Sequence, residues 1–229
     1  MNKSRKFAAL VVITILLTGI CQNVLAQYDE GEDPLYIPEK RLFYAGLIGG
    51  ANFAQVDGDN FAGYHKIGAN VGGIGYVQLK KHLALSWEFL FSQKGAKSDI
   101  VRQSPADTFF IIKNYGVTLN YAEIPVMINY FDKRKSHAGI GVAYSRLVGS
   151  NESYETIPYL PLDLNKYQYS KDNFDLIVGA QMHLWKGLFL NIRFAYSLVP
   201  IRTVSPPIIS RASKQYSNLW TVRLMYLLI

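Results

Sequence analysis

The chain has 229 residues, a formal net charge of +7 and a single cysteine, Cys21. That length suits one domain or two small ones; the 49% hydrophobic content excludes a disordered chain, and one cysteine excludes a disulfide scaffold. Charged residues reach only 18%, against 14% aromatics that include 16 tyrosines and 12 phenylalanines. Richness in Tyr and Gly argues against a helix bundle.

Residues 1–26 read as a secretory signal peptide. Lys3, Arg5 and Lys6 form the positive region, residues 7–20 the apolar run, and Val24-Leu25-Ala26 the compact residues before cleavage. A run of about 14 apolar residues is short of the ~20 that span a bilayer. Cys21 follows Ile20 rather than a small residue, so it reads as part of the removed peptide and not as a lipid-bearing terminus. Cleavage takes away three positive charges and no acid, lowering the net charge from +7 to +4. Residues 27–41 form an acidic lead-in with five acids and two prolines, expected to be a flexible periplasmic tether.

From residue 42 to 229 the sequence alternates with period two. In residues 83–91, Leu83, Leu85, Trp87, Phe89 and Phe91 share one face, and Ala84, Ser86, Glu88 and Leu90 the other. Residues 174–184 and 188–198 repeat the pattern. A helix would scatter these residues around its circumference, whereas a strand sorts them onto two faces. Eight such segments are expected: 42–56, 64–80, 83–94, 116–131, 137–149, 173–185, 188–199 and 216–229.

The connections alternate as well. Lys81-His82, Asp132–Ser136 and Lys186-Gly187 are tight, while 57–63, 95–115, 150–172 and 200–215 are longer. Short periplasmic turns, long extracellular loops and both termini in the periplasm are the layout of an outer-membrane barrel. The expected fold is therefore all-β, an eight-stranded antiparallel up-and-down transmembrane β-barrel in the bacterial outer membrane. A soluble lipocalin-like barrel is the rival, disfavoured by the low overall charge. An eight-strand interior is just wide enough for side chains to fill, so a general diffusion porin is not expected.

Four stretches resemble the outer-membrane β-barrel family common in Bacteroidota, the porin-family or PorT-like proteins. They are Gly46–Phe53 (GLIGGANF), Trp87–Lys97 (WEFLFSQKGAK), Tyr121–Val126 (YAEIPV) and Asn191–Ser197 (NIRFAYS). The resemblance covers residues 42–229. It implies an outer-membrane barrel acting through its rims on envelope or type IX secretion partners.

Alternation puts Glu88 and Glu123 on the inward face of neighbouring strands, and Arg193 and Arg223 on the inward face across the lumen. Buried charges require partners, so these four are expected to form one ion-pair cluster. Arg202, Arg211 and Lys214, in the last long loop, are candidates for contact with lipopolysaccharide phosphates. The spacing of His, Cys and acids matches no metal site, and Gly68, Gly72, Gly73 and Gly75 precede no helix and so fail as a nucleotide loop. No cofactor, catalytic residue or nucleic-acid partner is expected. Two alternatives remain: a narrow pore for ions or small solutes, and a rim enzyme acting on lipid A, for which His65 is the one histidine near the outer rim.

Overall fold

The computed structural model describes residues 42–61, 63–132 and 136–228. The expected signal peptide (1–26), the lead-in (27–41) and the basic residues 133–135 lie outside the described residues.

Among the described residues nine strands follow one another: β1 (Phe43–Asp57), β2 (Lys66–Lys80), β3 (Leu83–Ser98), a two-residue β4 (Arg102–Gln103), β5 (Ile111–Phe131), β6 (His137–Ile157), β7 (Asp172–Trp185), β8 (Leu188–Ser197) and β9 (Tyr216–Leu228). All described pairings are antiparallel. β1 pairs with β9, and β3 passes over β4 to pair with β5, so the eight long strands close into a ring. Closure removes the open sheet edges that a bilayer cannot satisfy with hydrogen bonds.

Alternation decides which side chains meet lipid. Leu47, Phe89, Ile128, Val142, Leu176 and Leu224 point outward and are exposed, forming an apolar belt. Their sequence neighbours Ile48, Glu88, Met127, Ala143, Asp175 and Arg223 point inward and are buried. One end of the barrel carries tight hairpins. At Lys186-Gly187 the chain reverses with Lys186 at φ 45°, and the Leu227 amide donates back to the Gly187 carbonyl at 2.8 Å. We call this the turn end and the opposite one the loop end.

The loop end is more ordered than the sequence pattern implies. Residues 95–115 and 150–172 read as loops, yet β3 runs to Ser98, β5 begins at Ile111 and β6 continues to Ile157. Ile112, Tyr115, Val117 and Thr156 are buried here, whereas Lys113, Asn114, Ser153 and Glu155 face outward. Polar outward residues suit a wall that has risen above lipid, and they hide the apolar alternation that marks the lower wall. Register shifts at Lys113 and Val148, each left without a partner in the ladder, disturb the period further.

Candidate functional site

The interior is the most distinctive part of the molecule. Glu88 on β3 reaches across the lumen to both arginines of β8 and β9. Arg193 engages it in a bidentate pair, one arm at 3.1 Å and the other shorter still. Arg223 adds Nη1 at 3.0 Å and Nη2 at 3.4 Å. Arg223 also donates to Asn191 at 3.0 Å and Asn70 at 3.1 Å. Asn52, Ser92 and Thr221 extend the network, with Thr221 donating to Asn52 at 2.8 Å and Asn52 to Ser92 at 3.0 Å. Hydrogen bonds of this kind offset part of the cost of burying the ions.

Glu123 does not join that cluster. It belongs to a second one, centred on Lys94, whose ammonium lies 2.8 Å from Glu123 and 2.6 Å from Asp175. The Ser145 hydroxyl stands between the two carboxylates, at 3.4 Å and 3.3 Å, and Asn173 donates to Asp175 at 2.8 Å. The expected four-membered cluster is thus corrected to two. Glu88 engages both arginines, and Glu123 pairs instead with the cation of Lys94. Lys94 and Asp175 escaped the sequence reading, although alternation carries Lys94 onto the Glu88 face and Asp175 onto the Ile177 face. Together the clusters hold three cations and three carboxylates, none more than 5% exposed. The buried charge cancels.

Apolar layers close both ends of this ionic middle. At the turn end, Tyr44, Ile48, Tyr76, Phe131, Phe189 and Leu227 pack into one cluster. His137 stacks on Phe131 with ring centroids 4.0 Å apart, and its Nε2 lies 3.1 Å from the Tyr76 hydroxyl. At the loop end, Phe61, Ile112, Tyr115, Tyr169, Ile201 and Ile209 form a second lid, in which Phe61 stacks on Tyr115 at 4.6 Å.

That lid holds one of the residues expected to meet lipopolysaccharide. Arg202 is 1% exposed; its guanidinium is paired with Glu152 and lies 3.8 Å from the Tyr169 ring centroid. Backbone bonds between Gln215 and residues 201 and 202 fold the last loop back over the lumen and carry Arg202 inward. It therefore presents no charge to an external phosphate. Arg211 and Lys214 do remain exposed, Arg211 donating to Asn60 at 2.7 Å. His65 is exposed with its ring against Gly63. Among the described residues no group of three or more His, Cys, Asp or Glu converges as a metal site would require.

A closed ring of eight strands with an apolar belt outside and a charge-balanced, side-chain-filled interior defines a small transmembrane β-barrel. The outer membrane protein beta-barrel domain family matches residues 26–202, and the chain belongs to that family of the bacterial outer membrane. Solved structures are similar only distantly. The attachment invasion locus protein Ail of Yersinia pestis, in complex with the heparin analogue sucrose octasulfate, is 7% identical with a TM-score of 0.43, covering 82% of this chain and 100% of that one. OprG of Pseudomonas aeruginosa is 9% identical with a TM-score of 0.45, covering 86% and 99%. Neisserial surface protein A is 9% identical with a TM-score of 0.41, covering 81% and 97%. A search of curated proteins found no match.

Proposed function

We propose that this protein is a non-enzymatic, non-conducting barrel of the Bacteroidota PorT-like group that acts through its rims on envelope or secretion-machinery partners. The turn end and both termini are assigned to the periplasm, and the loop end to the cell exterior. The observation that carries this reading is the filled lumen: apolar clusters at both ends enclose six neutralising charges, which favours a bore closed to solute. Chemistry is thereby displaced to the surfaces. At the loop end Ile100, Val101, Phe109, Tyr159 and Val204 are all exposed, the pattern of a surface that meets another molecule.

Planar-bilayer recording of the refolded protein tests the closed lumen. Silence is expected; steady open steps would overturn the reading in favour of a narrow pore. Crosslinking in intact cells followed by mass spectrometry of the adducts tests the rim role. Adducts to envelope or type IX secretion proteins through loop-end or turn-end residues are expected, and a barrel with no rim adducts would overturn it. Lipid A of unchanged mass in cells carrying His65→Ala is the result expected of a non-enzyme; a mass change lost in that variant would restore the enzyme reading.

A further inference from the structure

The barrel wall carries a groove of mixed polar and apolar lining that the filled lumen does not explain. It has a volume of about 410 Å³ and crosses the outward faces of β3, β5 and β6 near the loop end, where the ammonium of Lys66, the first residue of β2, reaches it beside Thr118. Lys66, Lys97, Asn114, Gly116, Thr118 and Ser153 line it. Gly116 forms the floor of the trough: a Cβ there would sit 3.1 Å from the Ser153 hydroxyl.

Its position along the wall narrows what it binds. On β2 the exposed Ile67 is the last apolar residue, and Lys66 is its immediate neighbour. On β3 and β5 the apolar belt of Phe91 and Ile124 gives way to the Gln93–Asn120 hydrogen bond at 3.0 Å, then to Lys97 and Thr118. The groove therefore opens sideways, starting where the wall leaves lipid. That is the level of lipid headgroups, within the ~5–8 Å interfacial zone that borders the hydrocarbon.

The charges are arranged for an anion at one end. Lys66 donates to Thr118 at 2.6 Å and pairs with no carboxylate among the described residues. Lys97 pairs with Asp99 at 3.1 Å, but both are more than half exposed, so that pair is weak and readily exchanged. Glu155, at the far end, is already bonded to Asn114 at 2.6 Å and Lys113 at 3.3 Å. Two ammoniums suit a phosphate, the amide and hydroxyl row beside them suits sugar hydroxyls, and the apolar wall beneath suits acyl chains.

We propose that this groove is a binding site for the phosphate-bearing headgroup of an outer-leaflet glycolipid, with Lys66 and Lys97 holding the phosphate. The inference rests on the assignment of the loop end to the cell exterior. Labelling Thr203→Cys in intact cells with a membrane-impermeant maleimide tests that assignment separately, the chain's natural cysteine being Cys21.

Native mass spectrometry of the detergent-solubilised protein tests the site, with bisphosphorylated lipid A, its dephosphorylated form and inorganic phosphate as probes. The wild type is expected to retain bisphosphorylated lipid A at least tenfold better than the dephosphorylated lipid. Lys66→Gln/Lys97→Gln should erase that preference. Ser153→Trp, at an exposed position, should fill the trough and weaken binding with both lysines intact, which keeps the test decisive if the double variant misfolds. Equal retention of both lipids by the wild type, or unchanged binding in the variant that folds, would overturn the proposal. Displacement of bound lipid A by equimolar inorganic phosphate would overturn it as well, by showing a site for free phosphate. Labelling of Thr203→Cys only after cells are opened would overturn the orientation instead, leaving the lipid-binding result to stand or fall by itself.

Discussion

Lys94 on β3 and Asp175 on β7 meet across the barrel at 2.6 Å, with Glu123 completing the set at 2.8 Å. Removing the lysine would leave two carboxylates unpaired in a buried site, and an unpaired buried charge is far more costly than a missing pair. Lys94→Met is expected to lower the unfolding free energy by about 3–5 kcal/mol. The triple variant Lys94→Met/Glu123→Gln/Asp175→Asn removes all three charges and should recover most of that loss. Urea titrations of the refolded proteins in detergent micelles check the order; a triple variant weaker than the single one would show that the charges themselves stabilise the barrel.

Separate clusters make a distinction that a single four-residue cluster would not. Glu88 is bonded to Arg193 through both guanidinium arms, whereas Glu123 bonds to Lys94. A double-mutant cycle between Glu88→Gln and Arg193→Met should give a coupling on the order of 2–3 kcal/mol, near the upper end for contacting residues. The cycle between Glu88→Gln and Glu123→Gln should give a clearly smaller one. Equal couplings in unfolding titrations would reunite the four residues.

This division marks where the sequence stops being legible. Period-two alternation identified every long strand and, where a charge marked it, the inward face, because one face meets lipid and the other does not. It placed Glu88, Arg193 and Arg223 correctly inside. Partner choice within the lumen depends on strand stagger, which alternation leaves open: Glu88 lies opposite Ile74 in the β2 ladder, yet its side chain crosses to β8 and β9. Arg202 failed for a different reason. Its environment is set by the fold of the loop that closes over Tyr169, and no periodicity governs a loop.

Tight curvature assigns unequal roles to glycines that look alike in sequence. A Cβ on Gly72 would lie 2.0 Å from the Phe89 carbonyl oxygen, a backbone atom unable to rotate away, whereas Gly49 has nothing within 4 Å. Gly72→Ala should cost about 1–3 kcal/mol through forced backbone displacement. Gly49→Ala should be neutral within about 0.5 kcal/mol. The fraction of each variant that folds into micelles, read by gel mobility without boiling, separates them, and equal folding would remove the packing argument.

Asp59, just beyond the end of β1, gives the loop-end lid a pH dependence. Burial is the largest influence on its carboxyl and pushes the pKa up to about 7, helped by Asp57 and opposed by the Phe61 amide and by Arg102. One oxygen accepts from that amide at 2.7 Å, and the other has no hydrogen-bond partner. A carboxyl whose pKa is higher in the folded state than in the opened one favours the folded state while it is protonated. The stabilisation is therefore complete below the ordinary value of 3.8 and is lost as pH rises to about 7. Amide exchange at Asn60 and Phe61, corrected for intrinsic rates, should show closure of this segment weakening with rising pH by up to about tenfold per unit across that window. Asp59→Asn, neutral throughout, should flatten the profile while leaving the β-strand amides unchanged. A wild-type profile already flat from pH 4 to 7 would show that Asp59 titrates alike in the closed and open lid.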